Sequence, residues 1–274
     1  MADDPLDDFE TTSFSVGDRA RRIDRTGEGP AVIVVPEMPG LTPKVADFAR
    51  RVAAIGCTAV VPHLFGRPGH DPYAGGRLAA TTSLVRSLVP ACVSREFTVF
   101  ATGRTSPVVR WLRALARAEH ARCGGPGVGV VGMCFTGGFA LAMATDPTVV
   151  APVMSQPSLP LAVGKKRARS VDCSPSDLTA VADRCRNEGL EVVGLRFCGD
   201  RLVPGARFEH LHEVLGDAFV AVELDDAAAD PASPLAPHSV LTEHLLDEPG
   251  EPTRDALDRV LRFLADRLEV DNRA

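Results

Sequence analysis

Short apolar runs alternate with amphipathic stretches along most of the chain. Ala31-Val32-Ile33-Val34-Val35 is continuous and apolar but too short for a helix. It predicts a strand covered on both faces, the pattern of parallel sheets, and Pro36 ends it. A helix is predicted over 43–55, with Val45, Phe48, Ala49, Val52 and Ala53 on one face. Pro43 suits its first turn and Gly56 its stop. The alternation then repeats, with strands expected at 58–61, 128–131, 149–154, 192–197 and 219–224. Helices are expected at 136–144, 176–188 (capped by Ser174 or Ser176), 204–215 and 253–268. The last carries Leu257, Val260, Leu261, Leu264 and Leu268 on one stripe. Two further β signals lie at 11–16 and 20–24. The segment 63–127 is the least readable. It holds Gly66-Arg67-Pro68-Gly69 and helix candidates at 77–88 and 105–121.

Strands alternating with helices imply an α/β fold with a mostly parallel sheet of about eight strands and helices on both faces. No linker or composition shift divides the chain, so one domain is expected over 11–274, after an acidic, solvated lead-in at 1–10. Lys and Arg total 30 against 36 Asp and Glu, a net charge of −6, which argues against a nucleic-acid or anionic-membrane partner. The start lacks a basic, apolar leader, and no apolar run approaches the ~20 residues that span a bilayer, so a cytoplasmic protein is expected. The seven cysteines include no C-x-x-C pair, which speaks against a zinc ribbon or thioredoxin-like motif and reads most of them as small buried hydrophobes. Lys165, Lys166, Arg167 and Arg169 read as a solvated loop.

The segment Val130-Val131-Gly132-Met133-Cys134-Phe135-Thr136-Gly137-Gly138 departs from the bland reading of a buried cysteine. It lies where a buried strand meets a helix, and a nucleophile on such a turn needs small neighbours because backbones crowd there. Gly132 meets that need. The helix start favours a thiolate, and the Phe135 amide would aim at a developing oxyanion. Such a nucleophile needs a base, and the base an orienting acid, in the chain order nucleophile, acid, histidine. Asp200 falls just past a predicted strand, in Gly199-Asp200-Arg201-Leu202-Val203-Pro204. His238 lies between the last strand and the last helix, with His244 as the alternative; His210 and His212 fall within a helix. Strand ends of this kind are where open parallel sheets build sites.

Pro36-Glu37-Met38-Pro39-Gly40, the Gly-x-Cys turn, and Gly199-Asp200-x-x-Val203-Pro204 followed by His238 together resemble the dienelactone hydrolase family of α/β-hydrolases, over about residues 12–268. The resemblance implies a Cys134, Asp200, His238 triad. It also implies that Glu37 lies near the nucleophile and helps form the thiolate when substrate binds, and that the amides of Met38 and Phe135 form the oxyanion hole. Cys134 would be a largely neutral thiol at rest, with Glu37 or His238 taking its proton. The chain departs from the family in two places. Thr136 stands where a second glycine is usual and should add a hydroxyl to the pocket floor. Thr242 stands where dienelactone-specific members carry an arginine four residues after the histidine. Arg95 could supply the missing cation and His63 a pocket wall. The expected activity is cofactor-free and metal-free hydrolysis of a small ester or lactone by a monomer or small homo-oligomer. The competing readings are a non-catalytic binding protein and a thiol redox sensor in which Cys134 pairs with Cys198.

Overall fold

A computed structural model describes residues 2–72, 74 and 96–270. The helix candidate at 77–88 and the candidate Arg95 lie outside these. The strands are β1 (Glu10–Val16), β2 (Arg19–Thr26), β3 (Ala31–Val35), β4 (Thr58–Pro62), β5 (Val128–Met133), β6 (Val149–Ser155), β7 (Val192–Phe197) and β8 (Phe219–Leu224). They form one sheet in the order β1-β2-β4-β3-β5-β6-β7-β8. β1 and β2 pair antiparallel, as do β2 and β4, and every later pairing is parallel.

Period-two alternation sorts the sheet's side chains onto two cores. Ala31, Ile33 and Val35 face one side, with Val130, while Val32 and Val34 face the other, with Val131 and Val153. Helices α1 (Pro43–Ala54) and α7 (Pro252–Arg267) cover the second face through Val45, Phe48, Leu257 and Leu264. Helices α2 (Val108–Cys123), α3 (Gly137–Met143), α5 (Pro175–Glu188) and α6 (Gly205–Leu215) cover the first. Ser174, one of the two expected caps, accepts the Asp177 amide at the start of α5. The basic cluster forms a short exposed helix, α4 (Lys165–Arg169), rather than a loop.

The acidic start is docked, contrary to the expectation of a solvated lead-in. Leu6 and Phe9 are buried. Arg50 of α1 reaches both Asp4 and Asp8 at 2.7 Å and holds their carboxyls below the usual range. One guanidinium gathering carboxylates from both sides of an apolar contact turns a repelling run into a strap.

On the first face, Asp172 is fully buried and accepts the hydroxyls of Thr98 and Ser106, each at 2.6 Å. Burial pushes its carboxyl up to about 6, against the pull of the two hydroxyls. A raised carboxyl holds its proton more tightly in the folded chain. Its contribution to stability is therefore full at acid pH and is lost as the pH climbs from about 4 through about 6. The difference amounts to about 3 kcal/mol. Asp172→Asn should remove that component: urea midpoints of the two proteins, compared at pH 4.5 and pH 7, should diverge between those values if burial governs this carboxyl and stay parallel if it does not.

Candidate active site

The cysteine turn begins where β5 ends. Cys134 has φ of +52°, a left-handed conformation that costs a residue with a Cβ about 1–3 kcal/mol. The chain holds this strain by packing. A Cβ on Gly132 would sit 2.3 Å from the Thr136 carbonyl, so only glycine fits two residues before the cysteine. Thr136 is fully buried. Its hydroxyl donates to the Val35 carbonyl at 2.8 Å and accepts the Met133 amide at 3.0 Å. The hydroxyl expected on the pocket floor therefore turns inward and ties the cysteine turn to the end of β3.

Asp200 and His238 meet as the sequence order suggests. The His238 Nδ1 lies 2.6 Å from Asp200 Oδ2, and Asp200 Oδ1 accepts the Leu202 amide at 2.8 Å. Burial disfavours charge on His238, yet the Cys134 sulfur and the Asp200 carboxylate outweigh it and hold the imidazole well above its ordinary value. The other ring nitrogen, Nε2, is buried and has no hydrogen-bond partner among the described residues.

His244 does different work. It is buried, and its Nδ1 accepts the amides of Ser239 at 3.1 Å and His238 at 3.4 Å, while Nε2 faces the Leu235 carbonyl at 3.3 Å. That pattern demands a neutral ring, and burial lowers its tendency to protonate. It clasps the loop that presents His238.

Glu37 is buried in a cradle of neutral donors. Gln156 Nε2 reaches it at 3.2 Å, the Ser239 hydroxyl at 2.6 Å, and the Thr242 hydroxyl also donates to it. Thr242, four residues after His238, thus stands beside this carboxylate. Phe135 follows Cys134 within the turn, and Met38 is a buried residue of the loop that leaves β3. A Cβ on Gly40 would meet the Phe65 carbonyl at 2.3 Å, so this glycine lets the Met38 loop press onto the next one. Phe135 packs edge-on against Phe65 and Phe97, with centroids 5.5 and 5.3 Å apart, and gives the turn an apolar wall. His63 is not joined to this group: its Nε2 bonds the Gly66 carbonyl of its own loop at 2.9 Å.

Sequence reasoning missed Gln156 and Ser158. Gln156 is buried with φ of +35°, and Ser158 Oγ lies 3.5 Å from Cys134 Sγ. Their one signal was position, just past the carboxyl end of the strand beside β5. Cys134 and Cys198 are both free thiols. Among the described residues no group of three or more His, Cys, Asp or Glu side chains is arranged to hold a metal. None of the helices among them is long and apolar enough to cross a membrane.

The arrangement brings a free thiol, an imidazole and a carboxylate together. The sequence profile described as "Dienelactone hydrolase family" matches residues 20–172, more than half of the chain. Among solved structures, a dienelactone hydrolase-like promiscuous phosphotriesterase from metagenomic libraries is 17% identical, with a TM-score of 0.62 over 94% of this chain and 98% of that one. A dienelactone hydrolase from Anabaena variabilis is 16% identical, with a TM-score of 0.58 over 95% of this chain and 98% of that one. At such identities the likeness speaks for the fold. No curated protein matches the chain.

Proposed function

The chain belongs to the dienelactone hydrolase family, a family of hydrolases, and on that premise we propose that it cleaves carboxylic ester or lactone bonds through Cys134, His238 and Asp200. The observation that carries this reading is the convergence on one point of three residues far apart in sequence. A strained cysteine sits beside an imidazole whose far nitrogen is already paired with a buried carboxylate at 2.6 Å.

In the proposed cycle the Cys134 S–H proton passes to His238 Nε2. Asp200 holds the ring in the tautomer that leaves this nitrogen free and supports the imidazolium that results. The sulfur attacks the carbonyl carbon. The oxyanion is taken by the Met38 and Phe135 amides, a contribution of ~3 kcal/mol per donor in comparable sites. Collapse expels the alcohol, which leaves with the proton from His238. Water, deprotonated by the same nitrogen, then releases the acid from the thioester and regenerates the thiol. His238 is the acceptor this reading favours, because Glu37 is already engaged by three donors and anchors Ser239, the residue next to His238.

The test is turnover of p-nitrophenyl acetate before and after iodoacetamide, with a dienelactone run in parallel. Ester turnover that the reagent abolishes supports the cysteine hydrolase, and dienelactone turnover would name the narrower substrate. Turnover indifferent to alkylation overturns the reading.

A further inference from the structure

Ser158 makes two separate contacts with Cys134. Its amide donates to the Cys134 carbonyl at 2.9 Å, and its hydroxyl oxygen lies 3.5 Å from the sulfur, within hydrogen-bonding range for that pair. The residue is 3% exposed. A buried hydroxyl held against a reacting atom differs from one that solvent can turn aside.

The serine is also clamped from behind. Arg207 of α6 is fully buried, with its guanidinium turned to backbone carbonyls. It donates to the Pro157 carbonyl and to that of Pro160 at 2.7 Å, gripping the chain on either side of Ser158. It also reaches the Leu202 carbonyl at 3.4 Å, in the turn whose amide Asp200 accepts. Burial lowers this guanidinium to about 10, so it remains a cation at neutral pH. A planar fork with several donors fixes a loop far more rigidly than a lysine could.

From this geometry we infer that Ser158 is a further catalytic residue, whose hydroxyl donates to the Cys134 sulfur whenever that atom carries negative charge. The inference rests on the reading of Cys134 as the nucleophile. When the S–H bond breaks, its proton goes to His238 Nε2. Ser158 keeps its own proton and points it at the thiolate. The same donor serves again in deacylation, when the carbon–sulfur bond breaks and the electron pair returns to sulfur. The thiolate is thus supported both as it forms and as it leaves. The charged groups around it are His238, Asp200 behind that ring, Glu37 in its cradle of neutral donors, and Arg207 behind Ser158.

The experiment is site-resolved alkylation of Cys134 by iodoacetamide across pH, in wild type, Ser158→Ala and Ser158→Thr, with ester kinetics alongside. A hydrogen bond to a charged acceptor is strong enough that Ser158→Ala should alkylate about tenfold more slowly near neutral pH. At alkaline pH, where every thiol is ionised, the rates should converge. Ser158→Thr restores the hydroxyl and should recover most of the neutral-pH rate. Ester kcat should fall in Ser158→Ala with KM little changed. Alkylation profiles that superimpose for wild type and Ser158→Ala overturn the inference, even if ester turnover falls. The alkylation readout needs no ester chemistry, so it separates this inference from the proposed activity. Should Cys134→Ala still cleave esters, the hydrolase mechanism fails while the sulfur–hydroxyl contact is judged on its own profile.

Discussion

Cys134→Ala should lower p-nitrophenyl acetate turnover by about 10³-fold or more and leave the fold intact. The magnitude follows from removing the nucleophile while the oxyanion donors and the binding surface stay, a residue of catalysis that comparable sites retain. The fold should survive because alanine removes only the sulfur and leaves the backbone strain at φ of +52° as it is in wild type. That strain supplies an internal control. Cys134→Gly should be equally inactive yet more stable than Cys134→Ala, by about 1 kcal/mol, because glycine adopts this backbone freely. Initial rates and thermal midpoints of the two variants decide the matter. Retained turnover in either would remove Cys134 from the chemistry, and equal midpoints would mean that the turn is not strained.

The second large effect belongs to His238. His238→Ala should cost about as much in kcat as Cys134→Ala, because the thiol proton then has no acceptor. The double variant should be scarcely worse than either single one, since groups acting as one unit do not add. Asp200→Asn should fall between these and wild type. The ring would persist, but the amide can present its NH₂ to Nδ1 and favour the wrong tautomer. His244→Ala should behave differently, lowering thermal stability because two amides lose a buried acceptor. If instead His244→Ala lost turnover while His238→Ala stayed active, the two roles would be exchanged. Steady-state kinetics of wild type and these five variants on one ester distinguishes these outcomes.

The strands were readable because the interior ones are buried on both faces and so appear as unbroken apolar runs, as at Ala31–Val35. The cysteine turn was readable because crowding at a strand-to-helix corner demands a glycine, and Gly132 stands at the right spacing. Other features depend on information that no local pattern holds. Thr136 and a pocket-lining threonine look alike in sequence; only the nearness of β3 to β5 turns its hydroxyl inward. His238 and His244 are six residues apart in one irregular loop, and the partner of each is set by how that loop folds back. Arg207 reads as a solvent-facing arginine on an ordinary helix, because the carbonyls it serves come from three other segments. Gln156 and Ser158 belong to no motif at all. They matter because β6 lies beside β5, which is a fact of strand order.

Arg207 joins two things that could otherwise drift independently: the loop beneath the sulfur and the turn that carries the acid. Their separation is set by the bond lengths of one flat group rather than by soft packing. In the proposed cycle, the gap across which the proton would travel therefore has a template, much as a spacer sets the gap between two plates. Warming such a site does not open it by degrees. While the spacer is seated the enzyme works at full efficiency, and when it is unseated both plates are released together. Loss of activity on heating should then track the fraction of molecules that have let go, with no intermediate population of slow, misaligned enzyme.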